Sequence, residues 1–142
     1  MIRAACHCGA VRFEISEPPG SVTECHCSIC RRTGALWAYY RGDDQTKLLS
    51  RPEPAATDTY VWGDRMLALH HCRHCRCVTH ADALDPQYAD WFALNARMMV
   101  GLDPAQVKVR QLDNGHTGFF WTRSDGPPVP GNHPPMPPDD WR

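Results

Sequence analysis

Cys25-His26-Cys27-Ser28-Ile29-Cys30 gathers three thiols within one short stretch, and two further cysteine groups flank it, Cys6-His7-Cys8 and Cys72-Arg73-His74-Cys75-Arg76-Cys77. Together they account for all eight cysteines of the 142-residue chain. An even cysteine count also suits a disulfide framework in a secreted chain. The spacing argues otherwise. A ring closed by C-x-C or C-x-x-C gains little chain-entropy stabilisation, whereas two adjacent thiolates chelate one ion. Met1-Ile2-Arg3-Ala4-Ala5 leads into the first pair with no apolar run of signal-peptide length. A reducing, cytoplasmic setting is therefore expected, where clustered cysteines bind metal and C-x-x-C redox pairs are the other use.

The flanking groups can together close a tetrahedral site of the kind structural zinc prefers, with Cys6 and Cys8 at one end and Cys72 and Cys75 at the other. Such a clip joins segments about half the chain apart and links metal binding to folding. Cys77 could substitute for Cys75, but the C-x-x-C spacing is the commoner half-site and favours Cys75; Cys77 otherwise reads as a small buried side chain. The middle group, Cys25, Cys27 and Cys30, has no obvious fourth ligand. Three thiolates leave one zinc position open, which distinguishes a catalytic site from a structural one and suits a soft thiol as the exchangeable ligand. One of His7, His26, His70, His71, His74 or His80 could instead complete a closed site, although His26 should diverge from the cysteines beside it. Arg31 and Arg32 could hold the carboxylates of an anionic substrate near the metal, or stand as solvated surface charge.

Composition narrows the classes. A net charge of −1 and scattered basic residues give no electrostatic footprint for nucleic acid. No apolar segment approaches the roughly 20 residues needed to span a bilayer, so no membrane association is expected. A chain of this length buries about 68–70% of its unfolded surface, enough for one sizeable core. Seven of the thirteen prolines stand in the last sixteen residues, in a run beginning Pro127-Pro128-Val129-Pro130, too proline-rich for helix or interior strand. The expected organisation is a zinc-binding domain over residues 1–126 and a proline-rich tail over 127–142. That arm would lie on the domain surface, or anchor on a partner subunit through Met136 and Trp141 and so make a homo-oligomer.

Between the cysteine groups the pattern favours short strands. Val11 to Ile15 alternates apolar and polar residues before Glu17-Pro18-Pro19-Gly20 stops it. Leu36-Trp37-Ala38-Tyr39-Tyr40, Met66-Leu67-Ala68-Leu69 and Val107-Lys108-Val109-Arg110 are strand-like as well. Ser28 to Thr33 resembles one helical turn stopped by Gly34, and Asp85 to Leu94 fits either helix or a loop followed by a strand. The fold class is mainly β.

The order Cys6-x-Cys8-Gly9-Ala10-Val11, then Cys25-His26-Cys27-Ser28-Ile29-Cys30-Arg31-Arg32-Thr33-Gly34, then Cys72-x-x-Cys75, resembles the glutathione-dependent formaldehyde-activating enzyme family, which includes proteins related to centromere protein V. The likeness extends through Trp91-Phe92-Ala93-Leu94-Asn95-Ala96 and Leu102-Asp103. It implies a β-tent type fold of small antiparallel sheets around zinc knuckles. It also implies two zinc ions per chain, a structural one at Cys6, Cys8, Cys72 and Cys75 and a catalytic one at Cys25, Cys27 and Cys30. The implied activity is that of a carbon-sulfur lyase of S-hydroxymethylglutathione synthase type, adding a small thiol such as glutathione to a small aldehyde such as formaldehyde. A zinc-stabilised protein-binding module without catalysis is the alternative. The chain departs from the family pattern at Arg76, where a glycine usually follows the second C-x-x-C.

Overall fold

The computed structural model describes residues 1–62, 65–112 and 120–122. The expected tail, with Met136 and Trp141, and the boundary at 126/127 lie outside the described residues.

Eleven strands carry these residues: β1 (Ile2–Ala5), β2 (Arg12–Ile15), β3 (Ser21–Cys25), β4 (Leu36–Arg41), β5 (Leu48–Ser50), β6 (Thr57–Tyr60), β7 (Leu67–Cys72), β8 (Val78–Ala83), β9 (Trp91–Asn95), β10 (Lys108–Leu112) and β11 (Phe120–Thr122). One α-helical turn, α1 (Cys30–Thr33), interrupts them, with short 3-10 turns elsewhere. The strands form two sheets, one ordered β1-β2-β5 and the other β11-β10-β3-β4-β9-β8-β7-β6. Mainly β architecture is what the sequence predicts. The pairings are antiparallel with one exception: β3 and β10 run parallel, placing Leu112 opposite Cys25.

The larger sheet is apolar on both faces at its centre, and alternation along the strands shows how. From β4, Leu36, Ala38 and Tyr40 enter one core, while Trp37 enters the other. From β9, Phe92 and Leu94 join the first and Ala93 the second. Successive side chains of a strand point to opposite faces, so each strand serves two interiors. The first core is the greater: the three-stranded sheet packs there through Ala4, Phe13 and Ile15, with Cys6 and Cys72 at its margin. The second is smaller and contains Cys25, Trp37, Leu69 and Leu112, with Cys27 and Cys30 packed against it. Where chain length suggests one core, the doubly buried sheet thus divides the interior in two.

The Val11–Ile15 alternation becomes β2 with Val11 just ahead of it, and Val11, Phe13 and Ile15 are all fully buried. Asp85–Leu94 resolves as a loop plus a strand. The Asp85 carboxylate accepts from the Gln87 amide at 3.0 Å, a 3-10 turn follows over Pro86–Tyr88, and β9 begins at Trp91. No helix among the described residues is long and apolar enough to cross a membrane.

Candidate metal centres and an adjoining cleft

Two tight turns bring the flanking cysteine groups together. After β1, the Gly9 amide donates to the Cys6 carbonyl at 2.9 Å, and Gly9 sits at φ +76°, where a Cβ would also crowd the Arg12 guanidinium at 3.2 Å. The Val11 amide then points at the Cys6 sulfur, 3.3 Å away. Between β7 and β8, the Arg76 amide donates to the Cys72 carbonyl at 3.0 Å and the His74 amide approaches the Cys72 sulfur at 3.4 Å. Backbone amides directed at sulfur stabilise thiolate and fix its orientation. The position that usually holds glycine is left-handed here too, with Arg76 at φ 63°.

Cys6, Cys8, Cys72 and Cys75 have their sulfurs within 4.8 Å of one another, a group able to hold a metal ion. The spacing suits zinc. Zinc–sulfur bonds of about 2.3 Å in a tetrahedron put neighbouring sulfurs roughly 3.8 Å apart, and Cys6–Cys8 and Cys8–Cys72 stand at 3.7 and 3.6 Å. Burial pushes the Cys75 thiol up, but the Cys77 and Cys8 amides and the neighbouring thiols outweigh it and bring it down to about 5. Against the His7 amide, burial and the proximity of Cys75 raise the Cys77 thiol. Cys75, not Cys77, belongs to the four-thiol group.

Cys25, Cys27 and Cys30 form a second group, also within 4.8 Å. Cys25 ends β3, Cys27 lies in the connection and Cys30 opens α1. This turn forms where the sequence predicts it. The Gly34 amide closes on the Cys30 carbonyl at 2.9 Å with φ 68°, a left-handed stop that glycine adopts without Cβ strain. The three sulfurs differ in how readily they lose a proton. The Cys25 and Cys30 thiols donate to Cys27 and drop it to about 2, while Cys25, donating to Cys27, rises to about 11 and Cys30 is raised by both neighbours. Mutual stabilisation of this kind marks a donor set short of positive charge, which a divalent cation would supply.

Two partners of this group escape sequence reasoning. The Trp37 indole N–H donates to the Cys30 sulfur at 3.2 Å from within the smaller core. Aromatic enrichment marks Leu36–Tyr40 as a strand, but nothing in it tells which face Trp37 takes. Burial raises the Tyr39 phenol, so it stays protonated beside the thiols. No histidine joins the three thiols among the described residues. His26 turns aside, its Nε2 2.6 Å from Gln111 Oε1.

Beside the three-thiol group opens a cleft of about 390 Å³ lined by Cys25, Cys30, Glu24, Arg31, Ala35 and Arg97. Arg97 is braced by its Nε, which donates to the Gly34 carbonyl at 2.6 Å. Of the two adjacent arginines, Arg31 faces the cleft, whereas Arg32 donates to the Ser28 carbonyl at 2.7 Å.

Comparison with known proteins agrees with these features. The family model described as "Glutathione-dependent formaldehyde-activating enzyme" matches residues 1–88. A Halomonas elongata protein named "Putative glutathione-dependent formaldehyde-activating enzyme" is 45% identical over 100 residues, 63% of this chain and 60% of the relative, so the chain spans less than two thirds of that protein's length. Among solved structures, a Rhodobacter sphaeroides protein superposes with a TM-score of 0.59 at 28% identity, over 75% of this chain and 98% of that one.

Proposed function

The chain belongs to the glutathione-dependent formaldehyde-activating enzyme family, and from that premise we propose that it adds a small thiol, glutathione or a close analogue, to a small aldehyde such as formaldehyde. The cleft against Cys25 and Cys30 carries this reading. It is within the size range of small-molecule sites, and it presents the charges that such a thiol would require.

In the reaction the sulfur of the thiol bonds to the carbonyl carbon, the C=O π bond opens, and the thiol proton ends on the former carbonyl oxygen, giving S-hydroxymethylglutathione. The reverse is a carbon-sulfur lyase reaction. Zinc held by Cys25, Cys27 and Cys30 would supply a position for a soft thiolate and lower the pKa of the thiol bound there. Arg31 and Arg97 would anchor the two carboxylates of the peptide, and Glu24 would receive its ammonium group, so that the sulfur is directed towards the thiols. The Trp37 N–H holds Cys30 in place from behind, and the Ala35 wall leaves room for the chain of the substrate. Cys6, Cys8, Cys72 and Cys75 would hold the second, structural zinc.

The uncatalysed addition is fast, so an endpoint assay cannot test the proposal. Exchange spectroscopy by NMR at equilibrium, with glutathione and formaldehyde, should show faster interconversion with the wild-type protein than with Cys27→Ser. An exchange rate unchanged by the wild-type protein across several thiols and aldehydes overturns the enzyme reading and leaves the zinc-stabilised binding module.

A further inference from the structure

A second cavity lies where the β2–β3 connection meets the 3-10 turn Gly42–Lys47 that follows β4. Its volume is about 200 Å³, below the roughly 300–1,000 Å³ typical of small-molecule sites. Pro18, Pro19 and Tyr39 supply apolar walls. Tyr40, 3% exposed, is the one buried residue among the described residues that line it.

The Tyr40 hydroxyl is buried and has no hydrogen-bond partner among the described residues. Burial, the largest influence, pushes the phenol up to about 12, so it stands protonated, a donor with no acceptor. The ammonium of Lys47 is near enough to act on this phenol but is taken by carboxylates. Its Nζ donates to Glu17 Oε1 at 2.7 Å and to Asp44 Oδ1 at 3.0 Å. All three line the cavity, so its wall carries one net negative charge and disfavours an anion. A fitting occupant is neutral and apolar, with an acceptor oxygen to spare. Consecutive prolines meet that description, since their rings are apolar, they have no N–H, and a polyproline helix leaves its carbonyls without internal partners.

The chain carries such a segment close by. β11 runs antiparallel to β10 with Thr122 opposite Arg110, and so leads towards the level of Lys108, which pairs with Ser21 of β3. Ser21 lines the cavity. Two strand spacings across and two residues along separate the backbone of Thr122 from Ser21 by roughly 12 Å. Pro127 follows Thr122 closely enough in sequence to reach that far, the intervening chain spanning up to about 17 Å when extended. We propose that Pro127-Pro128-Val129-Pro130 docks into this cavity of its own chain, its rings packed on Tyr39 and the Pro18-Pro19 wall and one of its carbonyls accepting from the Tyr40 hydroxyl. The docking stands independently of the thiol–aldehyde reading.

Nuclear Overhauser contacts in isotope-labelled, zinc-loaded full-length protein test it. Ring protons of Pro127, Pro128 and Pro130 should contact the Tyr39 and Tyr40 rings, with intensities per molecule unchanged on dilution. Tyr40→Phe deletes only the hydroxyl and should lower the ratio of docked to free segment about three- to tenfold, the worth of one hydrogen bond. Were the cavity empty, the same change would remove an unsatisfied group and leave the signals of the segment as they are. Replacing Pro127 and Pro128 together by serine should abolish the contacts, and keeps the test valid if Tyr40→Phe does not fold. Absence of the contacts in the wild-type protein, contacts that fade on dilution because a second copy supplies the segment, or contacts unaltered in either variant overturn the proposal.

Discussion

The Trp37 indole on the Cys30 sulfur is a single hydrogen bond with a measurable consequence. Partners behind a metal ligand typically govern affinity by 10–100-fold. Trp37→Phe keeps the apolar filling of the smaller core but removes the N–H, so zinc in the three-thiol group should bind roughly tenfold more weakly in a chelator competition. The four-thiol group should be unaffected, and equal weakening of both would show that the bond is not the cause. Arg76 offers a second test. Its left-handed backbone disfavours any side chain, and its Nη1 pairs with Asp58 Oδ2 at 2.9 Å on the surface. Comparing Arg76→Gly with Arg76→Ala removes the ion pair from both and isolates the backbone. The glycine variant should be more stable by about 1 kcal/mol in denaturant unfolding. Equal stability would mean that the turn relaxes when the side chain is lost.

At the scale of elements, the sequence is legible where one face is polar and obscure where both are buried. β2 and β10 alternate and can be read directly, as can the Ser28–Gly34 turn. β3 is obscure because Val22, Thr23 and Cys25 are all buried, so no period survives. Its parallel pairing with β10 is not encoded locally at all; residues 21–25 meet residues 108–112 across most of the chain. The cysteine groups were legible because chelation requires close spacing, whereas the cavity at Tyr40 forms only where the β2–β3 connection meets the turn after β4. The knuckles should differ in what they hold together. Cys72 is fully buried at the margin of the greater core and joins the β7–β8 turn to the β1–β2 turn. Cys72→Ser should cost about 3 kcal/mol or more, read as a lower melting temperature. Cys27 is half-buried on a connection that α1 and β3 brace independently. Cys27→Ser should remove one zinc and the activity with little loss of stability, and the reverse pattern would exchange the assigned roles.

At the scale of the molecule, the decisive feature is that the two thiol groups are built into different cores of one sheet. The group of four gathers residues from segments more than sixty positions apart, so its metal would be linked to global folding. The group of three is local, and its turn is already secured by backbone hydrogen bonds from Arg31 to Cys27, Thr33 to Ile29 and Gly34 to Cys30. Removal of metal should therefore proceed in two stages. Protein purified without chelator should contain zinc in both thiol groups. Chelator added in steps should first extract the zinc of the three-thiol group, abolishing thiol–aldehyde exchange while near-ultraviolet circular dichroism of the buried aromatics persists. Further chelator should extract the second zinc, and tertiary structure should be lost in the same step, because the clip between the β1–β2 and β7–β8 turns is what that ion supplies. Re-addition of zinc after the first stage should restore exchange at once, without the lag of refolding. Simultaneous loss of both ions with the circular dichroism signal would mean that the sheet transmits the loss of one site to the other, and that the two cores do not stand separately.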